Sequence, residues 1–162
     1  MKKLLGLSVV GVLAGAVALV APASSQTGGR TQIHVYELEK GHSKVIDEGK
    51  KGLTPGDLIV ENLPVFDAAN NERIGNTATV ITVIRGPKDN PFVWIDCEVG
   101  MKDGSLTFAG GERLGDIMEG NGATFSVTGG TGAYRDATGT VKVIHKARDG
   151  QPTVDFNFDV AL

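Results

Sequence analysis

The chain has 162 residues, with 16 Lys and Arg against 19 Asp and Glu, for a formal net charge of −3 at pH 7. That balance leaves no basic surplus for a phosphate backbone or an anionic bilayer, so neither nucleic acid nor a charged membrane surface is an expected partner. Cys97 is the one cysteine, which excludes an internal disulfide and leaves packing and sheet hydrogen bonds to hold the fold.

Lys2 and Lys3 precede an apolar run from Leu4 to Val20, and Ala21-Pro22-Ala23 then offers the small residues a signal peptidase reads. The run is broken by Gly6, Gly11 and Gly15 and is slightly short for a bilayer span, so residues 1–23 are predicted to be a cleavable export signal. The mature protein is then secreted or extracytoplasmic, with no stable membrane insertion. Removing the signal takes away two lysines and no acid. It leaves 139 residues, enough for one domain with one core, and an excess of about five negative charges.

Residues 24–31 are small and polar and read as a flexible leader. The single domain is expected over 32–162, as a series of alternating runs: 32–39, 44–48, 57–67, 76–85, 92–102, 105–109, 123–128, 139–147 and 153–162. Turn formers separate most of them, among them Thr54-Pro55-Gly56, Asn70-Asn71, Asp103-Gly104 and Asp149-Gly150. The last two are read as tight hairpin turns. The final run is the plainest: Val154, Phe156, Phe158, Val160 and Leu162 make an apolar face against Asp155, Asn157 and Asp159. In Phe92–Met101, Val93, Ile95, Cys97, Val99 and Met101 share one face, with Cys97 expected as a buried thiol. No run beyond the export signal has a 3.6-residue apolar stripe. The mature domain is therefore predicted to be all-β, and eight or nine strands in so small a domain form either a sandwich or a barrel.

Most familiar chemistries find no support in the residues. The stretch FSVTGGTGAYRDATGTV, from Phe125 to Val141, is rich in glycine. Yet Arg135 stands where the third glycine of a dinucleotide fingerprint would fall, and a β-rich run follows in place of a helix. The glycines are expected to serve a strand–turn–strand corner, where they allow positive φ and close backbone approach. His34, His42 and His145 have no metal-ligand spacing, Cys97 has no CxxC mate, and no serine sits in a G-x-S-x-G elbow. Acids on strands remain. Glu37 shares a face with Ile33 and Val35, and Asp96 and Glu98 share one with Phe92 and Trp94. A carboxylate on an apolar face is paired, protonated or functional if that face is buried, and unremarkable if it meets solvent or a subunit.

The same glycine stretch resembles a signature near the end of the allene oxide cyclase and dirigent barrels, a strand reading VTGG-S/T-G with a further glycine a few residues on. Other segments resemble the family in the same order: Val35-Tyr36-Glu37, Gly56-Asp57-Leu58-Ile59-Val60, Arg73-Ile74-Gly75 and Gly104–Gly110. The resemblance implies a single eight-stranded antiparallel β-barrel, calycin-like, with an apolar lumen. It further implies a commonly homotrimeric assembly, no metal, no organic cofactor and a small hydrophobic ligand. It implies an activity that cyclises a lipid epoxide or steers the coupling of reactive intermediates by holding one conformation. Glu37 falls on the family's first-strand acid and is the expected catalytic residue; Val35, Asn62, Trp94, Asp96, Glu112 and Tyr134 are the expected ligand-binding set. The chain departs from the family pattern elsewhere: the cyclase tyrosine falls on Glu112, the cyclase lumen cysteine on Ile81, and the dirigent aspartate and arginine on Ala133 and Thr138. A pure carrier and a self-associating envelope protein are the competing readings. Catalysis requires a second polar group near Glu37, carriage a nearly all-apolar lumen, and a structural role a lumen filled by side chains.

Overall fold

The computed structural model describes residues 29–47, 49, 52–119 and 121–162. The predicted export signal and most of the leader lie outside the described residues. Ten strands follow in chain order: β1 (Arg30–Leu38), β2 (His42–Ile46), β3 (Leu58–Asn62), β4 (Pro64–Asp67), β5 (Arg73–Arg85), β6 (Phe92–Met101), β7 (Gly104–Arg113), β8 (Ala123–Gly130), β9 (Thr138–Arg148) and β10 (Gln151–Ala161). A short helix α1 (Leu114–Met118) joins β7 to β8, and a 3-10 turn (Gly132–Tyr134) joins β8 to β9.

All pairings are antiparallel, and the sheet closes on itself. From β5 it runs through β6, β7, β8, β9 and β10 to β1, and β1 returns to β5 through β4. The first four strands share two staves. β1 pairs with β4 and β2 pairs with β3, while β3 and β4 both pair with successive parts of the long β5. Counted by stave, the molecule is a closed eight-stranded antiparallel barrel, which settles the choice between sandwich and barrel. Closure removes most of the edge that an open sheet of this size would present; among the described residues β2 pairs on one side, with β3.

The inward faces make the core. Val93, Ile95, Cys97 and Val99 of β6, Leu106 and Phe108 of β7, Phe125 and Val127 of β8, Val141 and Val143 of β9, and Val154, Phe156, Phe158 and Val160 of β10 are all buried. β-Branched side chains at every second position suit a pleated, half-buried wall. Phe108 anchors an aromatic group with Phe125, Phe156 and Phe158 at centroid distances of 5.7, 5.8 and 6.3 Å.

Three local features differ from the sequence expectation. The run 57–67 is interrupted at Leu63, whose backbone N–H reaches the Thr77 hydroxyl at 3.3 Å. The β6–β7 hairpin turns at Lys102-Asp103, one residue earlier than expected, because Gly104 already pairs with Met101. α1 has no counterpart in the sequence reading, since one turn and a half is too short to display a helical period. Asp149-Gly150 does form a two-residue hairpin loop, with φ of 51° and 74°, as a type I′ turn requires.

The glycine run builds a corner. The Thr131 N–H donates to the Ser105 carbonyl at 2.9 Å and the Ala133 N–H to the Asp103 carbonyl at 2.8 Å, so the β6–β7 hairpin is clasped by the turn after β8. Gly132 has φ of +58°, and a Cβ there would run into the Asp103 carbonyl. On the outer wall, Asp155 is fully buried beneath Arg148, Lys146 and His34, at 2.8, 3.0 and 3.0 Å. Burial acts to raise its pKa, but hydrogen bonds from these three groups outweigh it and hold the carboxyl below its usual value. Arg148 also lies over the Tyr36 ring, 4.4 Å from its centroid.

Candidate functional site

The period of β1 decides what faces inward. Ile33, Val35 and Glu37 alternate with His34 and Tyr36, so an acid follows two apolar residues into the barrel. Glu37 is only 4% exposed. Its partner comes from β5, where Thr77 and Thr79 point inward by the same alternation and are buried. The Thr77 hydroxyl donates to Glu37 Oε2 at 2.6 Å and accepts the Leu63 backbone N–H. One pair further along, the Thr79 hydroxyl lies 3.1 Å from Cys97 Sγ on β6.

Glu37, Thr79 and Cys97 line a cavity of about 430 Å³, with Thr77 behind Glu37. Its wall is largely apolar: Ile59, Leu63, Ile81, Ile95, Phe108, Val143, Val154 and Phe156, with Leu114, Ile117 and Met118 of α1 across one end. Glu37, Thr79 and Cys97 are the polar groups on the wall's inner part, and Glu39, Ser43, Glu61 and His145 complete it. The Ser43 hydroxyl donates to Glu61 at 3.0 Å, and His145 Nδ1 lies 2.8 Å from Glu39 Oε1.

Burial pushes the Glu37 carboxyl up to about 7; the Thr77 hydrogen bond pulls the other way, and the charges of Glu61 and Glu39 push it further up. A carboxyl poised there is able to donate a proton or take one near neutral pH. The Cys97 thiol is pushed up by burial against the hydrogen bond from Thr79, with nearby carboxylates adding to the rise. It is thereby a poor nucleophile, because the thiolate is the reactive form.

The residues expected from sequence are distributed over three places. Glu37 is on the cavity wall. Val35 is buried on the same face of β1 but lines a second hollow of about 460 Å³, together with Tyr134, Ile33, Ile74 and Met101. Asn62, Trp94 and Asp96 are on the outer surface, because the inward positions of β3 and β6 are Glu61, Val93, Ile95 and Cys97. Asn62 there accepts a hydrogen bond from the Asn76 amide at 2.7 Å. Glu112 has the inward parity of Phe108 but lies beyond the cavity wall, where it accepts the Arg113 backbone N–H at 2.9 Å. Ile81, the position matched to the cyclase lumen cysteine, does line the cavity. Thr77, Thr79, Glu61 and His145 were not singled out from sequence. Alternation within 76–85, 57–67 and 139–147 is the signal that would have found them.

The family model described as allene oxide cyclase barrel like domain matches residues 35–160. No curated protein matches the chain. Among solved structures, a pyocyanin demethylase superposes with a TM-score of 0.63 at 16% identity, covering 79% of this chain and 99% of that one. The pterocarpan synthase dirigent protein PsPTS1 gives 0.64 at 19% identity, covering 82% and 94%. AbnU, described as an exo-specific intermolecular Diels-Alderase, gives 0.58 at 14% identity, covering 82% and 99%. At these identities the likeness is one of fold.

Proposed function

We propose, from the premise that the chain belongs to the allene oxide cyclase-like barrel family, that it is an exported barrel whose lumen holds a small apolar molecule and steers its cyclisation or coupling. Glu37 is the lumen acid in this reading. The observation that carries it is the pairing of a buried carboxyl, poised near neutral pH, with a largely apolar cavity large enough for a small molecule. A space of about 430 Å³ weighs against a purely structural barrel, whose lumen side chains would fill. Thr77, Thr79 and Cys97 beside Glu37 weigh against a passive carrier, which needs no polar cluster in its interior. The wall supplies shape and one proton-transfer group, which suits a reaction whose outcome depends on the conformation held. Export and homotrimeric assembly belong to the same proposal, the first from the basic start and apolar run of residues 1–23.

Native mass spectrometry of protein recovered from its own secretions tests the reading. The expected result is a non-covalently bound small molecule, absent from Ile81→Trp, whose indole would occupy the lumen. Glu37→Gln should retain that molecule but lose turnover of it. A wild type that carries nothing, or an Ile81→Trp variant that carries the same load, would overturn the lumen assignment.

A further inference from the structure

The charged groups of the lumen are nearly all of one sign. Glu37, Glu39 and Glu61 line it, and among the described residues it has neither lysine nor arginine. His145, the one basic side chain on the wall, is turned to Glu39 at 2.8 Å. Glu61 takes a hydrogen bond from the neutral Ser43, and no ion pair among the described residues compensates it. Glu37 is buried, faces the cavity and, among the described residues, gives one of its two oxygens to a partner, Thr77. Two phenyl rings, Phe108 and Phe156, line the same space.

We infer that this lumen selects an apolar organic cation, an amine or ring cation small enough for the cavity, over a carboxylate of the same size. The inference rests on the lumen being a binding site and adds the charge of what it binds. Carboxylates at the edge of a water-poor cavity attract a cation and repel an anion more strongly than they would in bulk water. Aromatic rings add to the cation's preference through their quadrupoles. A fatty-acid carboxylate entering the same space would meet three acids and no fixed positive charge. Binding of a cation also favours the ionised form of Glu37, so the complex should release protons near pH 7. Glu39, Glu61, His145 and Cys97 are the other titratable groups facing that space.

The test uses a matched series on the full mature chain: 2-naphthylmethylammonium, 2-naphthylmethanol and 2-naphthoate, titrated calorimetrically at pH 7 in two buffers of different ionisation enthalpy. The expected order is ammonium, then alcohol, then carboxylate, with the ammonium about tenfold or more tighter than the carboxylate. Proton release should accompany the ammonium alone. In Glu39→Gln/Glu61→Gln the ratio of ammonium to carboxylate affinity should fall. Carboxylate binding as tight as ammonium, or an unchanged ratio in the double variant, overturns the charge selection while alcohol binding leaves the lumen reading standing. If not even the alcohol binds, the lumen reading fails and this inference falls with it.

Discussion

At the scale of single residues, Glu37 is where stability and chemistry meet. Its pKa is about 7 in the fold against an ordinary value of 4.5, so the folded chain keeps a proton that the unfolded chain releases. The stability from this group is whole below pH 4.5 and is lost as pH rises to about 7. Over that window it amounts to about 3 kcal/mol. Glu37→Gln should remove the slope: chemical denaturation of wild type minus variant should fall between pH 4.5 and 7 and level off above. A difference that stays flat from pH 4 to 8 would make Glu37 a solvated acid. This residue was legible in the sequence because it continues the period of Ile33 and Val35. Its surroundings were less so, because a period identifies two faces and not which of them is inside. In Phe92–Met101 the face with the tryptophan and two acids is outside, and the plainer face with Cys97 is the lumen. Thr77 and Thr79 carry no catalytic signature of their own; Thr77 meets Glu37 only through the β1, β4 and β5 registers, and Thr79 meets Cys97 only through that of β5 and β6.

At the scale of elements, the strands were readable because each has one buried face, and burial writes itself into the sequence at a period of two. α1 and the break at Leu63 were not, since their causes are tertiary: α1 closes over the cavity, and Leu63 bends toward Thr77. The glycine corner lies between these cases, its role fixed by contacts some 26 residues apart. Gly132 is held at φ of +58° against the Asp103 carbonyl, and a Cβ on Gly130 would meet the carbonyls of Tyr134 and Ser105. Gly132→Ala therefore adds backbone strain to a collision, and should cost more than about 1 kcal/mol. Gly130→Ala should be destabilising by collision alone. Thermal melts of ligand-free protein read both effects, and melts equal to wild type would show that the corner yields and that these glycines matter for something other than the backbone.

At the scale of the whole molecule, closing the barrel turns one half of each strand's side chains outward, and some of that wall is apolar. Val80 and Trp94 are 38% and 44% exposed. They fall in adjoining cross-strand rows, Lys44 opposite Val60 opposite Val80 opposite Asp96, and Leu58 opposite Thr82 opposite Trp94 opposite Gly111. At the end of the second row the rings of Phe92 and Trp94 both lie over Gly111, where a Cβ would collide with them. An exposed tryptophan with valines beside it and charges at the ends of the row, Lys44 and Asp96, is the kind of surface that subunits bury, at about 800 Å² per partner in a stable contact. With the trimer that family resemblance implies, this wall of β3, β5, β6 and β7 is the expected interface. Sedimentation velocity at micromolar concentration should then give a three-chain species for wild type and a single chain for Val80→Glu/Trp94→Glu, each melting cooperatively. A single-chain wild type would sink the proposal. The same double variant also decides what Trp94 is for. It stands outside the cavity wall, so lumen ligand should be retained when the trimer is lost. Loss of both together would mean that assembly shapes the lumen and that Trp94 bears on binding through the neighbouring subunits.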